Sequence, residues 1–169
     1  MNTVSFRNDI LPLKDVLYRL ALRITLNKEE AEDIVQDTLI KVWNKRADWA
    51  DIASIEGFCL TVCRNLALDR VKQSSHHTTP LADLGQAQDT GAGPYEQMIQ
   101  RDRISLVKRI IDTLPEKQRS CMQLRDFEGK SYKEIAQIMG VSEDQVKVNI
   151  YRARQAIKEK YKDLESYGL

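Results

Sequence analysis

Residues 131–154 read SYKEIAQIMGVSEDQVKVNIYRAR, and this stretch narrows the possible folds more than any other. Ser131 followed by Glu134 has the spacing of a capping box, in which each side chain satisfies an orphan backbone N–H at a helix start. Ile135, Ala136 and Met139 give a short apolar face, and Gly140 supplies the φ > 0 conformation that ends a helix without steric penalty. Ser142 with Gln145 is a second capping box, so a second helix begins after a three-residue turn. On that second helix Val146, Ile150, Ala153 and Ile157 recur at four, three and four, which forms one buried stripe. The opposite side carries Val148, Tyr151, Arg152 and Gln155, flanked by Lys147, Arg154 and Lys158. A capped surface hairpin with a charged back would explain the cations. It does not explain an exposed Val and Tyr among them, whereas a DNA groove offers thymine methyls as well as polar edges and phosphates. The pattern predicts a helix-turn-helix that reads DNA.

Charge is divided along the chain. Residues 1–71 hold 10 Lys/Arg against 11 Asp/Glu, and residues 101–162 hold 15 against 9. Only the back half therefore has the electrostatics of a nucleic-acid binder. No apolar run reaches the roughly 18–20 residues that span a bilayer, and the start lacks the apolar core of a signal peptide. Three cysteines without framework spacing fit reduced thiols. These features predict a cytoplasmic protein. Seven glycines and four prolines in 169 residues, with few Val/Ile runs, predict an all-α fold.

Taken in order, residues 8–26 predict a first helix with Leu13, Leu17, Leu20 and Ile24 turned inward. Asn27 caps a second helix over Glu29–Lys45, with acidic residues in its first turn where the helix dipole favours them. Ala31, Val35, Leu39 and Val42 face inward there, while Asp33, Gln36, Asp37, Ile40 and Asn44 share the outer face. Ile40 among carboxylates reads either as a lone surface residue or as part of a protein-contact patch. Ala47–Ile55 is a loop containing Trp49. Glu56–Lys72 forms a third helix, apolar almost all round except for a strip of Thr61, Asn65, Asp69 and Lys72. Gln73–Pro94 has the Ser, Thr, His, Gly and Pro content of a flexible linker. Tyr95–Asp112 resumes helical periodicity, and Pro115 suits the first position of a helix that runs to about Phe127. The result is two small helical bundles joined by a tether.

Metal binding and nucleophilic catalysis both fit the sequence poorly. Cys59 and Cys63 at i, i+4, with His76 and His77 beyond, offer four zinc donors, but a helix-borne pair without a knuckle is ordinary buried packing. No Ser or Cys sits in a motif with a base, and no Gly-rich loop cradles phosphate. No cofactor, metal or catalytic function is expected.

Together these segments resemble a bacterial RNA polymerase sigma factor of the extracytoplasmic-function (ECF) group. EDIVQDTLIKVW (Glu32–Trp43) looks like the helix that binds core polymerase. GFCLTVCRNLALDRVK (Gly57–Lys72) looks like the promoter-melting helix that reads the minus-ten element. Leu114–Ile157 looks like the domain that reads the minus-thirty-five element. The resemblance implies three units: 1–72 as sigma region 2, 73–94 as linker and 95–169 as sigma region 4. It implies that Asp33, Gln36, Asp37 and Ile40 dock on the clamp helices of the beta-prime subunit, with region 4 on the beta flap. Trp49, Thr61, Arg64, Asn65 and Lys72 fall at the minus-ten DNA, the Trp49 loop matching a segment that pockets a flipped base. Ser142, Lys147, Val148, Asn149, Tyr151, Arg152 and Arg154 fall at the minus-thirty-five DNA. Val148-Asn149 departs from the Ser-Arg that is common there, which bears on the promoter sequence and not on the fold. The opening DILPLKDVLYRLALRIT resembles a Bacteroidetes-type subgroup. An anti-sigma factor, often membrane-bound in such systems, is an implied partner. The main alternative is a helix-turn-helix regulator that binds duplex DNA alone as a dimer, for which no spare apolar helix is visible. A small metal-dependent enzyme or sensor built on the Cys/His set is a third.

Overall fold

A computed structural model describes residues 3–75 and 95–166, and among these there are helices and turns but no strand. Two short turns, Phe6–Ile10 and Leu11–Leu13, lead into α1 (Lys14–Thr25). The first expected helix is thus broken near Pro12, whose ring cannot continue a helix from the preceding turn. Leu26 ends α1 in the left-handed region at φ 58°, its N–H bonded to Leu22 O at 2.8 Å. Asn27 then accepts the Glu30 N–H at 3.0 Å and starts α2 (Lys28–Asn44). A 3-10 turn over Arg46–Asp51 occupies the expected loop and leads to α3 (Ile55–Ser75). That helix runs three residues into the stretch expected to be linker, and the rest of the expected tether, 76–94, lies outside the described residues.

The first three helices pack together around Leu17, Leu20, Ala21 and Ile24 of α1, Ala31, Ile34, Val35 and Val42 of α2, and Cys59, Leu60, Cys63 and Ala67 of α3. Full burial of Leu17 and Leu20 is worth about 1.5–3 kcal/mol each. Leu39, expected inward, is only half-buried, and Ile34 and Thr38 complete the inner face of α2 instead.

The second half comprises α4 (Tyr95–Asp112), α5 (Glu116–Met122), α6 (Tyr132–Met139) and α7 (Glu143–Ser166). Pro115 sits one residue before α5, and a wide turn at Gln123–Phe127 carries the chain to Gly129, whose φ of 71° makes the bend toward α6. In the first box Ser131 Oγ accepts the Glu134 N–H and donates to Glu134 Oε1, both at 3.1 Å. The second box is fully reciprocal: the Ser142 N–H donates to Gln145 Oε1 and the Gln145 N–H to Ser142 Oγ, both at 3.1 Å. Between them Gly140 takes φ 68°, and Ala136 O accepts from the N–H of both Gly140 and Val141.

The two bundles do not sit apart. Cys121, Leu124, Ile135, Ile138 and Ile150 share one continuous core with the first three helices, and α3 packs on α6 while α1 packs on α5. Charged pairs ring this seam. Arg19 donates from Nε and Nη2 to the two carboxylate oxygens of Glu128, each at 2.8 Å. Arg23 reaches Asp112 at 3.0 Å and Gln123 at 3.1 Å, Lys130 pairs with Glu56, and Arg119 Nη1 donates to Arg23 O near the end of α1 at 2.6 Å.

Candidate nucleic-acid interface and docking face

The buried stripe of α7 holds Val146, Ile150 and Ala153, so the residues between them point away from the core. Val148 is 44% exposed and Tyr151 64% exposed, with Arg152 open beside them. Lys147 is exposed, and its Nζ lies 5.5 Å from the Tyr132 ring centroid, on which Arg125 also stacks at 4.3 Å. Three of the expected contact residues spend polar groups within the protein. Ser142 caps α7, and Asn149 Nδ2 donates to Gln145 O at 2.9 Å. Arg154 pairs with Asp126, its Nε at 3.1 Å from Oδ2, which ties α7 to the wide turn and pushes the guanidinium pKa up through that hydrogen bond. The open face is therefore Lys147, Val148, Tyr151 and Arg152.

The strip on α3 is divided by the seam. Asn65 and Lys72 are exposed. Thr61 is half-buried, its hydroxyl donates to Gly57 O at 2.8 Å, and it lines a cleft against Glu134, Gln137 and Ile138 of α6. Arg64 is only 7% exposed: Nη2 donates to Glu116 Oε2 at 3.1 Å, and Nε is buried without a hydrogen-bond partner among the described residues. Trp49 is likewise turned into the protein. Its indole is buried, Nε1 donates to Val42 O at 3.1 Å, and its ring meets Trp43 edge-on at 6.0 Å. In this conformation both side chains are engaged with partners inside the protein. The resemblance placed both at the minus-ten DNA, and their partners in this structure, Val42 and Glu116, lie in other elements.

On α2, Asp33, Gln36, Asp37 and Ile40 are all exposed, Ile40 by 58%. Leu39, Ile40, Trp43 and Phe6 line a shallow apolar pocket at the end of this face. Phe6 packs edge-on against Trp43 at 5.4 Å, an extension that the sequence reading missed. Trp43 follows Ile40 by three, which was the available signal. No helical pattern reaches back to Phe6.

The cysteines are buried, and desolvation pushes the thiol pKa up to about 12 for Cys59 and Cys63 and about 11 for Cys121. Cys63 Sγ donates to Leu17 O at 3.3 Å. His76 and His77 lie outside the described residues, and within those residues no group of His, Cys, Asp and Glu is arranged to hold a metal ion. No helix among the described residues is long and apolar enough to cross a membrane.

This geometry agrees with what the chain is similar to. The sequence profile of sigma-70 region 2 matches residues 10–77, and that of sigma-70, region 4, matches residues 104–157. The chain belongs to the sigma-70 family. It is 30% identical over 147 residues to the ECF RNA polymerase sigma factor SigE of Mycolicibacterium smegmatis. That match covers 86% of this chain and 57% of SigE. A probable RNA polymerase sigma factor, RfaY of Xanthomonas campestris pv. campestris, is 30% identical over 145 residues, 82% of this chain and 36% of that one. The chain thus spans from about a third to just over half of these two relatives. Among solved structures, the sigma factor RpoE in complex with the anti-sigma factor NepR from Bartonella quintana superposes with a TM-score of 0.72. It is 23% identical, with 93% of this chain and 96% of that one covered, and shows the shared fold.

Proposed function

We propose that this protein is a non-catalytic promoter-specificity subunit of bacterial RNA polymerase, working in the cytoplasm. The observation that carries the reading is the order of the two sigma-70 regions along the chain, with residues 10–77 matching region 2 and 104–157 region 4. Asp33, Gln36, Asp37 and Ile40 of α2 dock on the beta-prime clamp helices. Asn65 and Lys72, joined by Thr61 and Arg64 once the seam opens, meet the minus-ten strand. Lys147, Val148, Tyr151 and Arg152 read the minus-thirty-five duplex, with region 4 on the beta flap. Core polymerase then holds both readers at a fixed spacing, and two weak contacts become one strong one through effective concentration. Melting is driven by capture of unstacked bases, each contact worth about 1–3 kcal/mol. The domain limits 1–72, 73–94 and 95–169 and the Bacteroidetes-type subgroup belong to the same proposal.

An anti-sigma partner is part of it as well. The Bartonella RpoE was solved with its anti-sigma factor, and this chain shares its fold with the two regions packed together. A partner that holds the seam shut would keep Arg64 and Thr61 from DNA.

The test is promoter binding and transcription with and without core polymerase. Specific initiation is expected only with core, and tight specific binding by the free protein would favour a stand-alone regulator. Asp33→Arg with Asp37→Arg is expected to abolish co-purification with core while leaving the helical content intact. Both side chains are at least half exposed and pair only at the surface with Arg70, a contact worth too little to hold the helical fold.

A further inference from the structure

Arg70 lies on α3, one residue from Asp69 of the polar strip, yet its guanidinium turns to the docking face of α2. Nη1 donates to Glu30 Oε2 at 2.6 Å and lies 3.8 Å from Asp33 Oδ2, while Nη2 donates to Asp37 Oδ2 at 3.0 Å. Glu30, Asp33 and Asp37 follow one another at three and four, so they share one helix face and would repel without a cation among them. We propose that Arg70 is a positioning residue for the polymerase-docking face: it holds one oxygen of Asp37 and, more loosely, of Asp33, and leaves the other aimed outward at cationic side chains of the partner. The inference rests on the docking reading above.

Two effects of Arg70 oppose each other. As a cation it reduces the negative field that a basic partner feels. As a planar donor fork it restricts the carboxylates to one arrangement, so less rotamer freedom remains to be lost on docking. A partner cation on Asp37 would lie within the roughly 8 Å screening length of Arg70, so repulsion and alignment both act at the contact. On this proposal alignment outweighs repulsion, and the sign of the change in Kd decides it. Asp33 and Asp37 remain 66% and 50% exposed, so Arg70 pairs with them without covering them. Their hydrogen bonds and charges, Glu30 first, also raise the Arg70 pKa, so the bridge stays cationic across the physiological range.

The experiment is an equilibrium titration of the full chain against core polymerase, comparing wild type, Arg70→Gln, Arg70→Lys and the Asp33→Arg/Asp37→Arg double variant. Arg70→Gln is expected to raise Kd about two- to fivefold, the span for fixing an exposed ionic group. Arg70→Lys, which keeps the charge but not the fork, should fall between it and wild type. Binding to minus-thirty-five duplex should stay at the wild-type value in both, and the thermal midpoint should fall only by the small amount expected for losing an exposed ionic group. An unchanged or tighter Kd for Arg70→Gln overturns the inference, because it would make Arg70 a bystander or a mere mask on the face. Normal binding by the double variant overturns the docking reading itself, and the inference with it.

Discussion

Leu26 adopts φ 58°, the one non-glycine among the described residues with positive φ, and its side chain is exposed. A side chain there costs roughly 1–2 kcal/mol, while glycine returns part of that through a freer unfolded chain. Leu26→Gly is therefore expected to stabilise the protein by up to about 1 kcal/mol, seen as a higher urea midpoint with an unchanged slope. A lower midpoint would mean that the Leu26 side chain makes a contact worth more than its strain. The cysteines give a second residue-scale expectation. With Cys59, Cys63 and Cys121 buried and their thiols pushed up to about 12, 12 and 11, almost no thiolate is present near neutral pH. Modification by a thiol reagent should be slow in the native protein and fast in denaturant, and rapid labelling of the native protein would contradict this burial.

At the scale of elements, the two proposed DNA-reading helices, α3 and α7, should fail differently. Arg152→Ala removes an open guanidinium from α7 and is expected to weaken duplex binding by about 1–3 kcal/mol. Asn65→Ala should leave duplex binding nearly unchanged and depress strand opening, so a pre-melted template rescues it but not the Arg152 variant. Rescue of Arg152→Ala alone would reverse the assignments of α3 and α7. These elements were legible because their ends are written locally. Asn27, Ser131, Gly140 and Ser142 each meet a backbone group within four residues, and the stripe of α7 repeats at helical spacing. Leu26 and the break at Pro12 were less legible, since strain and a shift of one turn leave the apolar periodicity intact. The seam was not legible at all. Arg19 and Glu128 are 109 residues apart, Arg64 and Glu116 are 52 apart, and no local pattern marks either pair. For the same reason the exposure of Asn65 could be argued from spacing, while the burial of Arg64 beside it could not.

At the scale of the whole molecule, the packed bundles set which surfaces are ready. The outer face of α2 and the open face of α7 are exposed, while Arg64 is buried and paired with Glu116. Opening should therefore be charge-sensitive, and Glu128 is the sharpest place to test it. Its side chain is 5% exposed, and it binds both donors of Arg19 and accepts from Gln123 Nε2 at 2.9 Å. The hydrogen bond from Arg19 holds the Glu128 carboxyl below the usual carboxylate range. A pKa depressed in the closed form means that the contribution to closure is complete above the ordinary value and is lost as the pH falls through the depressed one. Dyes on cysteines introduced at Lys45 and Lys158, both exposed, report the distance across the seam, and the buried native thiols leave labelling selective. For wild type the distance is expected to be short at neutral pH and to lengthen in acid below the carboxylate range. Glu128→Gln keeps the shape but not the charge, so it should already be partly open at neutral pH and show a weaker response to acid. Moderate salt should open wild type more than Glu128→Gln, because a charge pair is screened and an amide is not. Identical distances in the two proteins across pH and salt would show that the shared apolar core, through Leu124, Ile135 and Ile138, holds the halves together unaided.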